Sequence, residues 1–346
     1  MKNVKNNPTS NILQAGVTEE KINVAIIKSG YPLQTRVSKQ LSGQFHVQEE
    51  WSFADKKTGE IRSTDILAEK WFWEKEKKQP RVRPNLNLII ECKQSELPYI
   101  FFLSDHTLWA PNFPFIAGLS KDDLTLTTDN DPSTWMYSVT DALSLSYDDF
   151  LTKGPLFCNK FSKCERKGSD LLLSGEMPFN EIIYPLLSAM NHFKLAEKPP
   201  STAYYFDLHL VIGIGVLDAP MLGVKVEDQK HELISLPWVR VVKHQTDKNP
   251  DFTHKNNLFA IDIVHKDFLA EYINKHVLPF AERFSKLAIK HQEVIANSKG
   301  FVSNMDGIKR TEIEKNLLPI SFKNQQNRYK VMIKNVAKLV AGKVRL

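Results

Sequence analysis

Leu86-Asn87-Leu88-Ile89-Ile90 is a near-continuous apolar run that ends abruptly in Glu91-Cys92-Lys93. A short apolar run closed by charge reads as a strand buried on both faces, its end emerging where polar groups can be used. Residues two apart in a strand share a face, so Glu91 and Lys93 point one way and Cys92 points into the opposite layer. Such a strand needs partners on both sides, which commits the chain to a sheet with covered faces. The 346 residues, 42% hydrophobic, are enough to bury a large core in one domain or two.

The strands beside it are legible from period. Phe45, Val47, Glu49, Trp51 and Phe53 alternate with polar residues, and the turn Asp55-Lys56-Lys57-Thr58-Gly59 leads into a second strand from Ile61 to about Trp73 that carries Asp65. The charged run from Glu74 to Pro84 reads as a loop, and Leu86 to Lys93 as the third strand. Upstream, Thr18 caps a helix through Lys28, and Pro32 opens a second helix with Leu33, Val37 and Leu41 on one face. Residues 1–17 are polar and Asn-rich, a flexible tail.

Acid-x-Lys also occurs at Asp55-Lys56-Lys57, Glu76-Lys77-Lys78, Glu165-Arg166-Lys167 and Asp228-Gln229-Lys230, which read as solvated turns; only Glu91 and Lys93 follow a buried-strand pattern. Two carboxylates and a lysine on adjacent strands are a minimal set for holding a hard divalent cation and hydrolysing a phosphodiester. The plainer alternative for the trio is a salt bridge on a sheet edge.

Helix, hairpin and third strand, with acid on the second strand and acid-x-Lys on the third, resemble the core of the PD-(D/E)XK nuclease superfamily, which includes restriction endonucleases. The resemblance covers roughly residues 20–105 and is densest at Ser29-Gly30-Tyr31-Pro32-Leu33, at Arg62 to Ala68, and at Leu88 to Phe102. Within the superfamily it is similar to a bacterial restriction-type group whose third strand reads Glu-Cys-Lys and runs on to a Pro-aromatic pair, here Pro98-Tyr99. The chain departs from the family pattern at Thr64, where proline is frequent, and at Gln34, where relatives often place a metal-holding glutamate.

The resemblance implies an α/β fold, a mixed sheet flanked by helices, with a restriction-endonuclease-like core over 18–155; the elements that follow read as a second α+β half over 156–298 packed beside it. It implies an Mg²⁺-dependent endodeoxyribonuclease, with Mn²⁺ as substitute. Asp65, Glu91 and the Cys92 carbonyl would hold the metal. Lys93 would orient or deprotonate the attacking water, and Gln34 and Gln94 would contribute by ligation or hydrogen bonding. An amide oxygen brings no charge, so Gln34 leaves one metal or two open. DNA is the expected partner, RNA the less expected one, and restriction or defence against foreign DNA the implied role. The competing reading is a catalytically silent nuclease-like module that binds nucleic acid or scaffolds an assembly. Symmetric double-strand cutting would favour a homodimer, and a partner subunit is the alternative.

Residues 104–153 mix Pro, Asp, Thr and aromatics without period; Trp109, Phe113, Phe115 and Trp135 are candidates for stacking on bases, with core packing the plainer reading. Farther on, Glu181 to Leu195 is helical, strands follow at about Tyr204–Leu217, Leu222–Val226, Leu233–Lys243 and Leu258–His265, and a helix runs from Phe268 to about Ala296. This succession echoes the first half. A decayed repeat with Asp218 and Asp262 as relic acids stands beside the reading that they occupy a turn and a strand. Residues 299–346 form a basic helical extension in which Lys330, Lys334, Lys338, Lys343 and Arg345 accompany Val331, Ile333, Val336, Leu339, Val340 and Val344. It would grip DNA phosphates, pack against a partner subunit, or present a solvated face.

Gly213-Ile214-Gly215 sits in an apolar strand and lacks the third glycine of a nucleotide loop, and the histidines, His209 and His231 among them, lack zinc spacing. Cys92, Cys158 and Cys164 are too few for a disulfide framework and read as reduced thiols. The net charge of +6 is compatible with a polyanionic partner. No stretch reaches the roughly 18 to 20 apolar residues of a membrane helix, and the polar start is no secretory signal, so the expected location is cytoplasmic, off the membrane.

Overall fold

The computed structural model describes residues 2–55, 58–74, 79–108, 110, 112–131, 133–228, 230–244 and 258–343, the side chains of 339 and 341–343 excepted. Trp109, Lys56, Lys57, Lys77, Lys78, Gln229, Val344 and Arg345 therefore lie outside the described residues, as do the side chains of Leu339 and Lys343. The strands are β1 His46–Ala54, β2 Ile61–Trp71, β3 Val82–Gln94, β4 Tyr99–Leu103, β5 Phe115–Ala117, β6 Asp123–Thr127, β7 Thr134–Ser138, β8 Phe157–Lys167, β9 Asp170–Ser174, β10 Phe206–Asp218, β11 Met221–Glu227, β12 Lys230–Ser235, β13 Trp238–His244, β14 Leu258–His265, β15 Lys299–Val302 and β16 Leu317–Leu318.

A large mixed sheet dominates, in the order β1-β2-β3-β10-β14-β13-β8-β4-β11-β12, with β5 beside β10 and β9 beside β8; a small second sheet runs β16-β15-β6-β7. β1, β2 and β3 are antiparallel neighbours in chain order. β3 then pairs in parallel with β10 from Val82↔Phe206 to Gln94↔Asp218, and β10 pairs in parallel with β14. Strands from before and after residue 155 thus share one sheet. β3 begins at Val82, inside the stretch expected to be a loop, because its register with β10 extends the ladder that far.

Helices cover both faces. On one face Leu33, Val37 and Leu41 of the Tyr31–Leu41 helix, with Phe280 and Phe284 of the Leu278–Lys290 helix, pack on Ile66, Ile90, Ile212 and Val264. On the other, Ile182, Leu186 and Met190 pack on Leu67, Ile89, Val211 and Ile263. Each such fully buried side chain contributes on the order of 1.5–3 kcal/mol, which makes this two-sided core the main source of stability.

The two long helices expected at Glu181–Leu195 and Phe268–Ala296 are each broken by a π turn, Phe179–Ile183 and Ile273–Val277. Each turn ends just before a Tyr-Pro or Leu-Pro step, Tyr184-Pro185 and Leu278-Pro279. Proline has no N–H for the preceding turn and its ring crowds the i−4 carbonyl, so the helix widens there. The strand expected over 233–243 likewise splits into β12 and β13 around Pro237, which cannot donate to a ladder.

Phe113 and Phe115 are buried in the core, which places them away from a base-stacking role, and Trp135 packs partly buried against that core. Residues from Lys299 onward supply β15 and β16 to the small sheet, with a short helical stretch at Ile313–Asn316 between them, before the Phe322–Lys343 helix begins, so the extension is not helical throughout. Among the described residues no helix is long and apolar enough to cross a membrane.

Candidate functional site

The β2–β3 ladder stops at Ile66↔Ile90, so Asp65 and Glu91 stand just beyond its last pair, where the strands part. Parting leaves backbone groups of β3 without ladder partners, and side chains of β2 take them up. The Cys92 N–H donates to Asp65 Oδ2 at 2.7 Å, and the Thr64 hydroxyl donates to the Ile90 carbonyl at 3.1 Å. A buried N–H must find an acceptor, and a carboxylate held this way is fixed in orientation. Lys93 Nζ lies 3.1 Å from Glu91 Oε2. Asp65, Glu91 and Lys93 are thus brought together, while the Cys92 thiol points away into the opposite core.

Gln34 reaches the site from the Tyr31–Leu41 helix, almost fully buried. Its amide nitrogen donates to Glu50 Oε1 at 2.9 Å and to the Asp65 main-chain carbonyl at 3.0 Å. The reason lies in β1. Glu50 has φ +51, a left-handed conformation uncommon for a residue with a side chain, and the β1–β2 pairing passes from Glu49↔Ile66 to Trp51↔Thr64 with no pair at Glu50. The Asp65 carbonyl is satisfied by Gln34 in place of a strand partner. Gln34 therefore acts here as a donor that positions Asp65 and Glu50. Gln94 ends β3 exposed.

The electrostatics are unbalanced. Burial raises the Glu91 pKa from 4.5 to about 7, with the Asp65 charge adding to the shift and Lys93 opposing it. Burial also raises Asp65, offset in part by the Cys92 N–H and by Lys93 and reinforced by the Glu50 charge. For Lys93, burial works to lower the pKa, but the fields of Glu91 and Asp65 outweigh it and leave it raised, so its ammonium stays protonated. Among the described residues Lys93 is the cation that acts on Asp65 and Glu91, while Glu50 adds a third carboxylate beside Asp65.

Sequence reasoning missed Glu50, whose place beside Asp65 follows from a local backbone irregularity, and a second group that the fold delivers from afar. Glu181 adds to the field on Lys93, and Glu181 Oε2 is 3.4 Å from Lys163 Nζ of β8. The same ammonium lies 5.7 Å from the Tyr99 ring centroid. Tyr99 is fully buried, its hydroxyl has no hydrogen-bond partner among the described residues, and its pKa is raised by burial and then by Glu181. Glu181 sits this close because Gly215, paired with Glu91, has no side chain: a Cβ there would come within 2.8 Å of Ile182 Cγ2 and 2.7 Å of Ile263 Cδ1.

The other acids serve structure. Asp262 is wholly buried, takes Arg240 Nε at 2.7 Å and Nη2 at 2.8 Å, and accepts the Tyr272 hydroxyl at 2.7 Å. Asp218 closes β10 and pairs with Lys266 at 2.9 Å and Arg36 at 3.5 Å. Asp55, expected in a solvated turn, is buried against Arg62 and Tyr184, 3.1 and 3.0 Å away. Glu165-Arg166-Lys167, also expected in a turn, ends β8 in pairing with β9. His209 is buried, its Nδ1 2.9 Å from Asn87 Oδ1, and His231 is exposed. All three thiols are free and buried.

The donors at the candidate site are oxygens, with charge in excess on the negative side, which fits a hard divalent cation. Among the described residues no set of three or more His, Cys, Asp or Glu side chains is arranged to hold a metal unaided. An ion there would complete its shell with main-chain, water and substrate oxygens, as Mg²⁺ commonly does. Comparisons with protein-family models, with curated proteins and with solved structures found no match.

Proposed function

We propose that the protein is a metal-dependent nuclease that hydrolyses phosphodiester bonds of DNA. The carrying observation is that Asp65, Glu91 and Lys93 converge where β2 and β3 part, with too little positive charge to balance the acids. The order of helix, antiparallel β1-β2-β3 and acid-bearing strand ends supports the resemblance to the PD-(D/E)XK core. A role in restriction or anti-phage defence rests on that resemblance alone.

Asp65 and Glu91 would hold Mg²⁺, or Mn²⁺ in its place, with the Cys92 carbonyl as a further ligand. A bound ion supplies Lewis acidity to the scissile phosphate and lowers the pKa of its own water. Gln34 and the Cys92 N–H fix the Asp65 main chain and carboxylate, so the ligand is preorganised. Lys93, protonated because Glu91 and Asp65 face it, donates hydrogen bonds to the attacking water or a phosphate oxygen and stabilises the charge that grows in the transition state.

The test is digestion of plasmid, linear DNA and RNA by purified wild type, Asp65→Ala, Glu91→Ala and Lys93→Ala with Mg²⁺, Mn²⁺ or EDTA. Metal-dependent cutting of DNA by wild type, reduced at least about a hundredfold in Lys93→Ala, is expected. RNA cutting in place of DNA would redirect the assignment. No cutting by folded protein on any substrate would favour a silent nuclease-like module that binds nucleic acid.

A further inference from the structure

The Phe322–Lys343 helix carries its apolar residues on the wrong side for a packing helix. Phe322, Tyr329, Ile333, Val336 and Val340 are 77, 64, 70, 59 and 59% exposed. The partly buried positions are Asn324, Arg328, Val331 and Asn335. At about 100° per residue the two sets lie on nearly opposite sides of the cylinder, so the apolar stripe faces away from the rest of the chain. Its steps from Tyr329 are four, three and four residues, the repeat of a two-helix seam; the broader stripe of a helix laid on a core is absent.

We infer that this helix is the seam of a parallel two-stranded homodimer, and that its occupant is the same helix of a second copy. Three observations select that occupant. Placed on the seam, Phe322, Tyr329 and Val336 fall at d positions and Gln326, Ile333 and Val340 at a positions. β-Branched Ile and Val at a favour two strands, and a single polar residue at a fixes register. The flanking charges then choose the orientation. The helix holds no Asp or Glu; a parallel pairing sets Gln325 against Lys330 and Met332 against Ala337 of the other copy, so no two cations meet along these flanks, and like charges face each other only at Lys343, which falls at d in the last turn, where the helix ends. An antiparallel pairing would turn the Lys323 and Lys330 edges of the two copies toward each other. Finally, burying the exposed parts of five large apolar side chains on both copies removes on the order of 1,000 Å², the lower end of what a specific interface requires.

Parallel helices on a two-fold axis place both bodies at the same end of the seam, one candidate site on each, as two strands of a duplex would require. The dimer goes beyond the nuclease reading and does not depend on it.

Sedimentation equilibrium of the full chain, over roughly 1 to 100 µM, should show the mass rising from 39.7 kDa toward twice that value as an interface of this size saturates. Ile333→Glu should weaken association at least about tenfold by placing a charge in the seam, and Gln326→Leu should tighten it by about as much. Neither side chain is buried in the monomer, so thermal unfolding of the dilute variants should match wild type. Val340→Cys copies should be joined by a short bis-maleimide, because position 340 meets its own counterpart only in the parallel arrangement; the three native thiols are buried. A chain that stays monomeric at every concentration, with or without DNA or anionic vesicles bound to the helix, overturns the inference. So does association that Ile333→Glu leaves unchanged, or failure of Val340→Cys to join. Mass is read here and cleavage is not, so either claim can fail alone.

Discussion

Glu91→Gln should stabilise the metal-free protein at neutral and alkaline pH. Glu91 is 4% exposed, and burial followed by the Asp65 charge raises its pKa from 4.5 to about 7. A raised folded-state pKa means that the native state holds a proton the unfolded chain releases. The stability linked to that proton is fully present below pH 4.5, falls as pH rises through the window to 7, and stays lost above it. A shift of this size corresponds to about 3 kcal/mol. The glutamine keeps the shape and cannot ionise, but it also takes an ionic partner from Lys93, 3.1 Å away. The net gain at pH 8 is therefore about 1–3 kcal/mol. Urea unfolding in EDTA at pH 5 and pH 8 reads it: wild type should lose about 2–3 kcal/mol more than the variant between the two. Asp65, raised in the same direction, titrates in both proteins and cancels to first order. Parallel pH profiles, or a variant less stable than wild type at pH 8, would refute the claim that Glu91 is an undercompensated buried charge.

Gln34→Glu replaces a double donor with an acceptor beside Glu50 and the Asp65 carbonyl, and should cost about 1–3 kcal/mol in a denaturant titration in EDTA. An unchanged midpoint together with tighter Mn²⁺ binding in a calorimetric titration would show instead that position 34 is a ligand site. Asp262→Asn leaves the fully buried Arg240 without its ionic partner and should cost about 3–5 kcal/mol, read as a fall in unfolding midpoint; a loss below about 1 kcal/mol would show that the pair is not what holds β13 to β14.

What could be read from sequence was whatever short-range pattern determines. The alternation around Val47 and Phe53, the Leu33-Val37-Leu41 face and the buried run before Glu91 placed the first helices and the hairpin, because period follows directly from strand and helix geometry. Glu91 and Lys93 stand out because strand context separates them from the other acid-x-Lys tripeptides, and Asp65 because it lies in the returning strand of the hairpin. Glu50 carried no such mark, since its role comes from φ +51 and a missed pair, which no residue type announces. Glu181, with Lys163 beside it, could not be placed near Lys93 from spacing, because the neighbourhood depends on a π turn and a strand that bring in residues 88 and 70 positions further along the chain. Nor did period separate Asp262 from Asp65: both are acids in apolar strands, and only the partners differ.

That difference in partners is the physical argument behind the proposal that Asp65 and Glu91 work while Asp262 holds. Asp262 receives two guanidinium hydrogen bonds and a phenol, and Arg240 donates from Nη1 to the Phe150 and Leu151 carbonyls, its Cζ 3.8 Å from the Phe113 ring centroid. The group is satisfied and sealed, with no capacity left for a ligand, which is how a buried charge is kept at least cost. Asp65 and Glu91 share one lysine, stand beside a third carboxylate, and keep raised pKa values. A fold that could neutralise Asp262 so completely four strands from the sheet edge at β1 had the means to do the same at β2 and β3. Retaining unbalanced negative charge there is tolerable when another cation completes it, and oxygen donors at a strand divergence are suited to a divalent ion that brings its own waters and a substrate phosphate.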